Sequence, residues 1–483
     1  MIRMIQLILD NIRNVRHGEI RFRQTPRGGS VTGIYGQNGS GKTSVIDAID
    51  LLATLMAGQS PQEGTAGIVN AASGEGTITA VLRVDDHDGE PVFVSYRATL
   101  RNDGAGNAAR LVSEGIRMGG SESRLGRELL SVASGSPADS GNPAIEMLPS
   151  YAWRSMGASS PALRDDILFH SRDAFRAGAS FLFRAYRGDG GEATTMLRHI
   201  AVTAAGKDLS GRARALLDAK VLAASRAADA LARWAKRDVR VVNTRRGASP
   251  AFWLIPIPSA DTTGGADVYF NLRGATVVPS SRLPWLRDVI DTYNRILPGL
   301  VPGIRIELKE TPAPSDGHLE DRTMVELLSD RDGTRIRFGD ESEGVVRLTS
   351  LLSLLIHAYN EESALVAVDE LDMGVFELLL GDLLEQFADG CHGQLVFTAH
   401  NLRALETLDH RSIWLTTTDP GDRFIPAPSL KPTNNQRKTY LADLMLGWDG
   451  PDLYDKPPVR RFGTALYRAG HPRAAARSRP RGA

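Results

Sequence analysis

The chain has 483 residues, enough for roughly two to four domain-sized pieces at about 150 residues each. Lys plus Arg and Asp plus Glu balance at 57 each, so net charge names neither nucleic acid nor membrane as a partner, and only the distribution of charge can do so. The single cysteine, Cys391, excludes a disulfide framework or a cysteine-based metal cluster, and no segment approaches the roughly 18 uninterrupted apolar residues of a membrane span; the expectation is a cytoplasmic protein with no membrane partner.

Met4 to Leu9 and Glu19 to Phe22 read as strands of an N-terminal antiparallel edge, separated by a polar turn from Asp10 to Gly18. Val31 to Tyr35 is a third apolar run. It leads into Gly36-Gln37-Asn38-Gly39-Ser40-Gly41-Lys42-Thr43, the complete phosphate-loop pattern of Gly, four residues, then Gly-Lys-Thr. Beyond Ser44 the residues Val45, Ile49, Leu52 and Met56 recur three or four apart, an amphipathic helix opening directly after the loop. In that context glycines let backbone N–H groups close around phosphate oxygens, Lys42 brings a cation to the β- and γ-phosphates, and the Thr43 hydroxyl is placed to ligate magnesium. The nucleotide-binding set is Gly36 to Ser44.

Thr77 to Val84 and Pro91 to Leu100 are β-rich and flank a polar turn, a hairpin signature. From Asn102 to Asn142 Gly, Ser and Ala prevail, and the expectation is a long loop or weakly packed insertion. Asp166 to Asp173 reads as an apolar strand end followed by polar residues, either a plain strand-to-helix turn or a route by which His170 or Arg172 reaches the nucleotide. Phe181 to Asp238 reads as mostly helical. Within it Leu217, Val221, Ala224, Ala228, Leu231 and Ala235 form one apolar seam for a short arm that packs on another helix. Arg198, Lys207, Arg212, Arg214, Lys220, Arg226, Arg233, Lys236, Arg237, Arg240, Arg245 and Arg246 outweigh Asp208, Asp218, Asp229 and Asp238 along this stretch, which is either a solvated face or a contact for a nucleic-acid backbone. Ala251 to Ile257, a helix from Trp285 to Ile296 ending near Pro298, Ile304 to Leu308, Met324 to Leu328 and Arg335 to Phe338 then suggest a return to the sheet, so that the nucleotide domain is split.

The remaining motifs come late and close together. Gly339 to Gly344 precedes an apolar helix from Val345 to Ala358, so Ser342 and Gly344 at its N-terminus are either an ordinary cap or a second anion site, one that need not touch the phosphate held by the chain's own loop. Ala364 to Val368 is a buried-strand run ending in Asp369, suited to the magnesium shell, and Glu370, suited to orient and deprotonate an attacking water. Asp372 is placed for contact across a subunit interface. Gln394 to Thr398 is another apolar strand, and its polar end presents His400 for a hydrogen bond to the γ-phosphate or the water.

Together Gly36 to Thr43, Asp340 to Gly344, Val366 to Glu370 and Thr398 to His400 resemble the ABC-type ATPase heads of the RecF, SMC and Rad50 group, and most of all the standalone AAA-family ATPases related to overcoming-lysogenisation-defect nucleases and abortive-infection ATPases. The resemblance implies an α/β P-loop NTPase of ABC-ATPase head type with an N-terminal antiparallel β part and a helical insertion. Its pieces are an N-terminal lobe over 1–165, the insertion over 166–247, a C-terminal lobe over 248–420 and an extension with a basic tail over 421–483. It makes Lys42 and Thr43 the Walker A pair, Ser342 and Gly344 the signature acting in trans, Asp369 and Glu370 Walker B, Asp372 the D-loop and His400 the switch histidine. ATP and Mg2+ are the implied ligands and an ATP-driven homodimer the implied assembly. The implied function is ATP hydrolysis that controls DNA, or a separate nuclease or toxin effector, in phage defence; alternatives are a RecF-like maintenance ATPase and a slow nucleotide-gated scaffold. Three features depart from the pattern: Met373 to Glu377 holds no His-Pro pair, Arg347 is the only basic carry-over in the signature helix, and no glutamine-loop residue is evident.

Overall fold

A computed structural model describes residues 1–25, 28–85, 91–102, 107–137, 143–148, 161–184, 226–243, 254–257, 268–313, 321–427, 437–441, 451–454, 465–466 and 469. Leu217, Val221 and Ala224 of the predicted seam, the basic residues from Arg198 to Lys220, Arg245, Arg246 and the arginines of the tail lie outside them.

Two sheets share one core. The first has seven antiparallel strands in the order β2-β1-β4-β5-β6-β7-β8, formed by β1 (Ile2–Ile12), β2 (Val15–Arg21), β4 (Glu75–Val84), β5 (Val92–Arg101), β6 (Arg110–Gly119), β7 (Leu125–Pro137) and β8 (Pro143–Leu148). The second carries the nucleotide motifs and runs β19-β18-β3-β17-β16-β9, from β3 (Ser30–Tyr35), β9 (Val239–Val242), β16 (Leu365–Val368), β17 (Gln394–Thr398), β18 (Ile413–Thr416) and β19 (Phe424–Pro426). β18, β3, β17, β16 and β9 are mutually parallel, and only β19 reverses. Strands buried on both faces read as unbroken apolar runs, which is why Val366 to Val368 and Leu395 to Phe397 are fully buried. Helix α1 (Lys42–Met56) fills the space between the sheets: Val45, Ile49, Leu52 and Met56 join Leu7, Leu9, Ile78 and Leu82 in one apolar cluster.

Several expectations are corrected. The polar turn from Asp10 to Gly18 is almost all strand: Ile12 pairs with Val15 and the hairpin turns on Arg13 and Asn14 alone. The stretch from Asn102 to Asn142 is not a loop, since it supplies β6 and β7. Pairing with β5 gives these small, polar residues the partners that their composition hides. Residues Asp166 to Asp173 lie within helix α2 (Pro161–Arg176), because Ser171, Ala174 and Phe175 are buried at helical spacing, and this places His170 and Arg172 away from the nucleotide cleft. Within the segment expected to be helical, Val239–Val242 is an edge strand of the parallel sheet, reached from a described helix over 226–237 whose Ala228, Leu231 and Ala235 pack into the core around α1.

The pieces expected to return to the main sheet build a sheet of their own. β12 (Thr276–Pro279), β14 (Arg322–Arg331) and β13 (Ile304–Pro312) pair in that order, β15 (Thr334–Arg337) adds to β14, and a short pair is made by β10 (Leu254–Ile257) and β11 (Val268–Asn271). One face of the larger sheet packs on a helix over Leu283–Leu300, which runs through Pro298 rather than stopping there. The helix Glu343–Asn360 stands between this lobe and the parallel sheet: Val346 and Leu352 face the lobe cluster, Leu351 and Leu355 the sheet cluster.

Within the seven-stranded sheet Glu114 is fully buried. Its carboxylate accepts from Tyr96 Oη at 2.9 Å, Ser180 Oγ at 2.6 Å and Leu182 N at 2.9 Å, which ties the short helix Phe181–Arg184 to β6. Burial pushes the Glu114 carboxyl up, against the pull of those donors. Glu114→Ala strands three buried donors, and a loss of about 3 kcal/mol is expected from unpaired groups of this kind, read as a lower urea midpoint. An unchanged midpoint would show that the network contributes nothing.

Candidate nucleotide site

The loop between β3 and α1 closes on itself. Gly36 approaches Thr416 so closely that a Cβ there would stand 1.7 Å from Thr416 Oγ1, and Gly41 takes a φ of 101°, so neither position accepts a side chain without strain. Ser40 Oγ donates to Gln37 O at 2.7 Å and receives Thr416 Oγ1 at 2.6 Å, which pins the loop to β18. Lys42 Nζ folds back on Gly36 O at 2.8 Å and Gln37 O at 3.1 Å. Burial lowers its pKa, while Asp369, Glu370 and Asp372 favour the cation. Gly41, with no capping side chain, precedes the first turn of α1, leaving that end to an anion.

A cleft of about 590 Å3 opens over this loop. It is lined by Asn38 to Ser44, by Asp369 and Glu370 after β16, by Thr398 and His400 after β17, and by Arg13, Asn14 and Gly67. Parallel β16 and β17 are neighbours, and β17 pairs with β3, so the C-terminal ends of three adjacent strands deliver the groups together. Thr43 Oγ1 lies 3.2 Å from Asp369 Oδ1, which also receives Thr398 Oγ1 at 2.7 Å. Two hard oxygen donors facing one cleft suit a magnesium ion that takes its other ligands from water and phosphate.

Glu370 is held in a left-handed conformation, φ 52°, unusual for a residue with a side chain. Both its backbone groups are fixed. Its N–H donates to Thr398 Oγ1 at 2.8 Å, and its carbonyl accepts Arg347 Nη2 at 2.7 Å; the same nitrogen reaches Asp369 O at 3.1 Å. Arg347 is buried, and desolvation lowers its pKa against the attraction of Glu370, Asp372 and Asp369. The helix that precedes β16 thereby fixes the backbone that carries Glu370.

Asp372 does not line the cleft. Its Oδ2 accepts the N–H groups of His400 at 2.9 Å and Asn401 at 2.6 Å, so it shapes the loop that presents the exposed His400. Ser342 and Gly344 also stand outside. Ser342 caps the helix Glu343–Asn360, its Oγ accepting Val345 N at 3.4 Å. Gly344 abuts Gly374, where an added Cβ would meet Gly374 O at 2.1 Å. The cleft thus gathers the phosphate loop, Asp369, Glu370 and His400 and leaves exposed Ser342 and half-buried Gly344 outside it.

Arg13 and Asn14 escaped the sequence reading. Arg13 Nε pairs with Asp47 Oδ2 at 2.6 Å on α1, and Asn14 Nδ2 bonds Gly39 O, while Arg423 Nη2 donates to Asn14 O at 3.0 Å. Their signal was the apolar pair Ile12 and Val15 flanking a polar dipeptide, which shortens the turn and pushes both side chains over the phosphate loop. Farther off, Arg233 pairs with Asp229, and Arg237 with Asp238 at 2.8 Å, so the described part of the basic stretch is partly neutralised.

No curated protein matches the chain. Among solved structures it is similar to an SMC head bound to the C-winged-helix domain of ScpA (13% identity, covering 89% of this chain and 98% of that one, TM-score 0.40). It is also similar to the Pyrococcus furiosus SMC head bound to the C-terminal domain of ScpA (11%, 88% and 96%, 0.40) and to the recombination mediator RecF with ATP (11%, 82% and 92%, 0.33). Residues 6–119, which hold the phosphate loop and α1, match the family model described as an AAA domain.

Proposed function

We propose that this protein is an ATPase whose nucleotide site is completed by a second copy of the chain. What supports the reading is one cleft that gathers Lys42, Thr43, Asp369, Glu370 and His400 while exposed Ser342 and half-buried Gly344 lie outside it. ATP lies with its phosphates in the loop from Gly36 to Ser44. Thr43 and Asp369 would hold Mg2+, which when bound would offset charge on the phosphates. Glu370 takes a proton from water as the water oxygen bonds to the γ-phosphorus and the bond to the β,γ-bridging oxygen breaks, releasing ADP. His400 lies at the γ-phosphate end. Strained backbone held from both sides at Glu370 favours a catalytic role over a slow nucleotide-gated scaffold. Control of DNA or of a separate effector, in phage defence or in RecF-like maintenance, is the branch-level part of this reading and is what head closure would drive.

A second copy is the economical way to use both surfaces. The helix end at Ser342 can meet an anion, and exposed Met373 and Phe376 flank the Gly344–Gly374 contact, as a surface covered on closure requires. The test is nucleotide affinity together with sedimentation with and without ATP. Lys42→Ala is expected to lose at least about tenfold in ATP affinity, since it removes a charge-assisted contact to phosphate, and with it any ATP-driven association. Wild-type protein that binds ATP yet sediments as a monomer throughout would overturn the shared site.

A further inference from the structure

β14 ends at Arg331, where Asp332 and Gly333 turn the chain into β15; Phe338–Asp340 then lead directly to Glu341 and Ser342. Arg331 returns to grip Glu341 with both arms of its fork: Nε to Oε1 at 3.0 Å and Nη2 to Oε2 at 2.9 Å. Ser329 Oγ adds a bond to Oε1 at 2.8 Å. These donors, Arg331 first, hold the Glu341 pKa below the usual carboxylate range.

We propose that Arg331 and Glu341 are a positioning pair for Ser342, through which the small sheet sets where the start of the helix Glu343–Asn360 stands. The inference rests on Ser342 meeting the partner's nucleotide.

Three observations separate this pair from the other charges of the lobe. Arg287–Glu310, Lys309–Glu326, Arg335–Glu307 and Arg337–Glu326 are surface pairs whose cationic members are more than half exposed, the kind that contribute little. The Glu341 side chain is only 6% exposed, where Glu310, Glu326 and Glu307 are 27%, 21% and 32% exposed; its bond to Arg331 is bidentate, as is that of Arg287 to Glu310, and fixes direction as well as distance. Moreover, the Glu341 that Arg331 holds is the chain neighbour of Ser342, so a shift of β14 is transmitted along the backbone to the residue beside it. Charge points the same way. A carboxylate next to the residue that receives a phosphate would repel it, and Arg331 cancels that charge at the place where it arises. Farther along the same helix Arg347 holds the Glu370 carbonyl, so the end that Arg331 steadies belongs to the element that also aims the general base of its own chain.

The test uses the full-length protein, with ATP as ligand. Arg331→Ala is expected to keep ATP affinity within about twofold, to lower kcat about tenfold and to raise the protein concentration needed for half-maximal rate, because the bond that orients Ser342 is lost while the cleft is not touched. Arg331→Lys, which keeps the charge without the fork, should fall between wild type and alanine, and it carries the test if the alanine variant does not fold. The charge-swapped double variant Arg331→Glu/Glu341→Arg separates positioning from simple stability. It restores an ion pair, and therefore the melting temperature, but reverses the fork and leaves no carboxylate at 341 to accept Ser329 Oγ, so the chain beside Ser342 is held differently and kcat should stay low. Wild-type kcat in the swapped protein, or in a folded Arg331→Ala, would overturn the inference. Ser342→Arg measured alongside tells the two failures apart: wild-type hydrolysis there removes the role of Ser342 itself, whereas an inactive Ser342→Arg beside a fully active Arg331→Ala removes only the positioning pair.

Discussion

Glu370→Gln should bind ATP and magnesium as the wild type does and hydrolyse ATP at least about a hundredfold more slowly, since it removes a positioned general base and leaves the phosphate cradle intact. The geometry makes this a sharp expectation. Thr43 and Asp369, the oxygen donors proposed for the metal, are bonded to each other, Asp369 also receives Thr398, and neither bond involves the Glu370 side chain. The backbone of Glu370 is fixed by Thr398 at its N–H and by Arg347 at its carbonyl, so the amide is delivered to the place where the carboxylate stood. Single-turnover hydrolysis and equilibrium nucleotide binding, measured on the same preparation, separate chemistry from affinity. A Glu370→Gln protein that turns over at the wild-type rate would reject Glu370 as the base. Lost nucleotide affinity would instead mean that the side chain holds the ligand.

The groups of this site were legible to different degrees for physical reasons. Val31 to Tyr35, Leu365 to Val368 and Gln394 to Thr398 are strands of a parallel sheet covered on both faces, so each reads as an unbroken apolar run ending where polar chemistry begins. That pattern places Asp369, Glu370 and His400 on one edge from sequence alone. β6 gave no such signal. Its buried face carries Glu114 between Leu111 and Ile116, and a carboxylate in that position erases the alternation on which a strand is recognised. Ile167-Leu168-Phe169 misled in the opposite direction, because three apolar residues fit a strand end or a helix equally, and the deciding burial of Ser171, Ala174 and Phe175 comes from packing. Arg347 was visible as a lone basic residue, but its partners are backbone carbonyls, which any sequence supplies. Likewise Arg331 and Glu341 are ten residues apart across a hairpin whose register only the folded sheet defines.

The outward position of Ser342 leads to the second large effect. Ser342→Arg is expected to spare ATP binding to the isolated cleft and to abolish both ATP-driven association and turnover, because it places bulk and a charge where the opposing nucleotide must approach. In contrast, the same substitution at an ordinary helix cap would cost only about 1 kcal/mol of stability. Mixing gives the decisive result. Lys42→Ala fails at its own cleft and Ser342→Arg fails at the cleft of its partner, so a mixed dimer holds one composite site with both defects and one with an intact Lys42 and an intact Ser342. Hydrolysis should therefore reappear when two inactive proteins are combined, reaching at most roughly half of the wild-type rate, since every dimer that forms is mixed and has one working site of two. Sedimentation of the same mixture should show an ATP-dependent dimer that neither variant forms alone. Should Glu370→Gln, with hydrolysis blocked, form no dimer with ATP at tens of micromolar protein, far above the concentration at which a specific interface of ordinary size associates, the site is complete within one chain and Ser342 does no more than cap its helix.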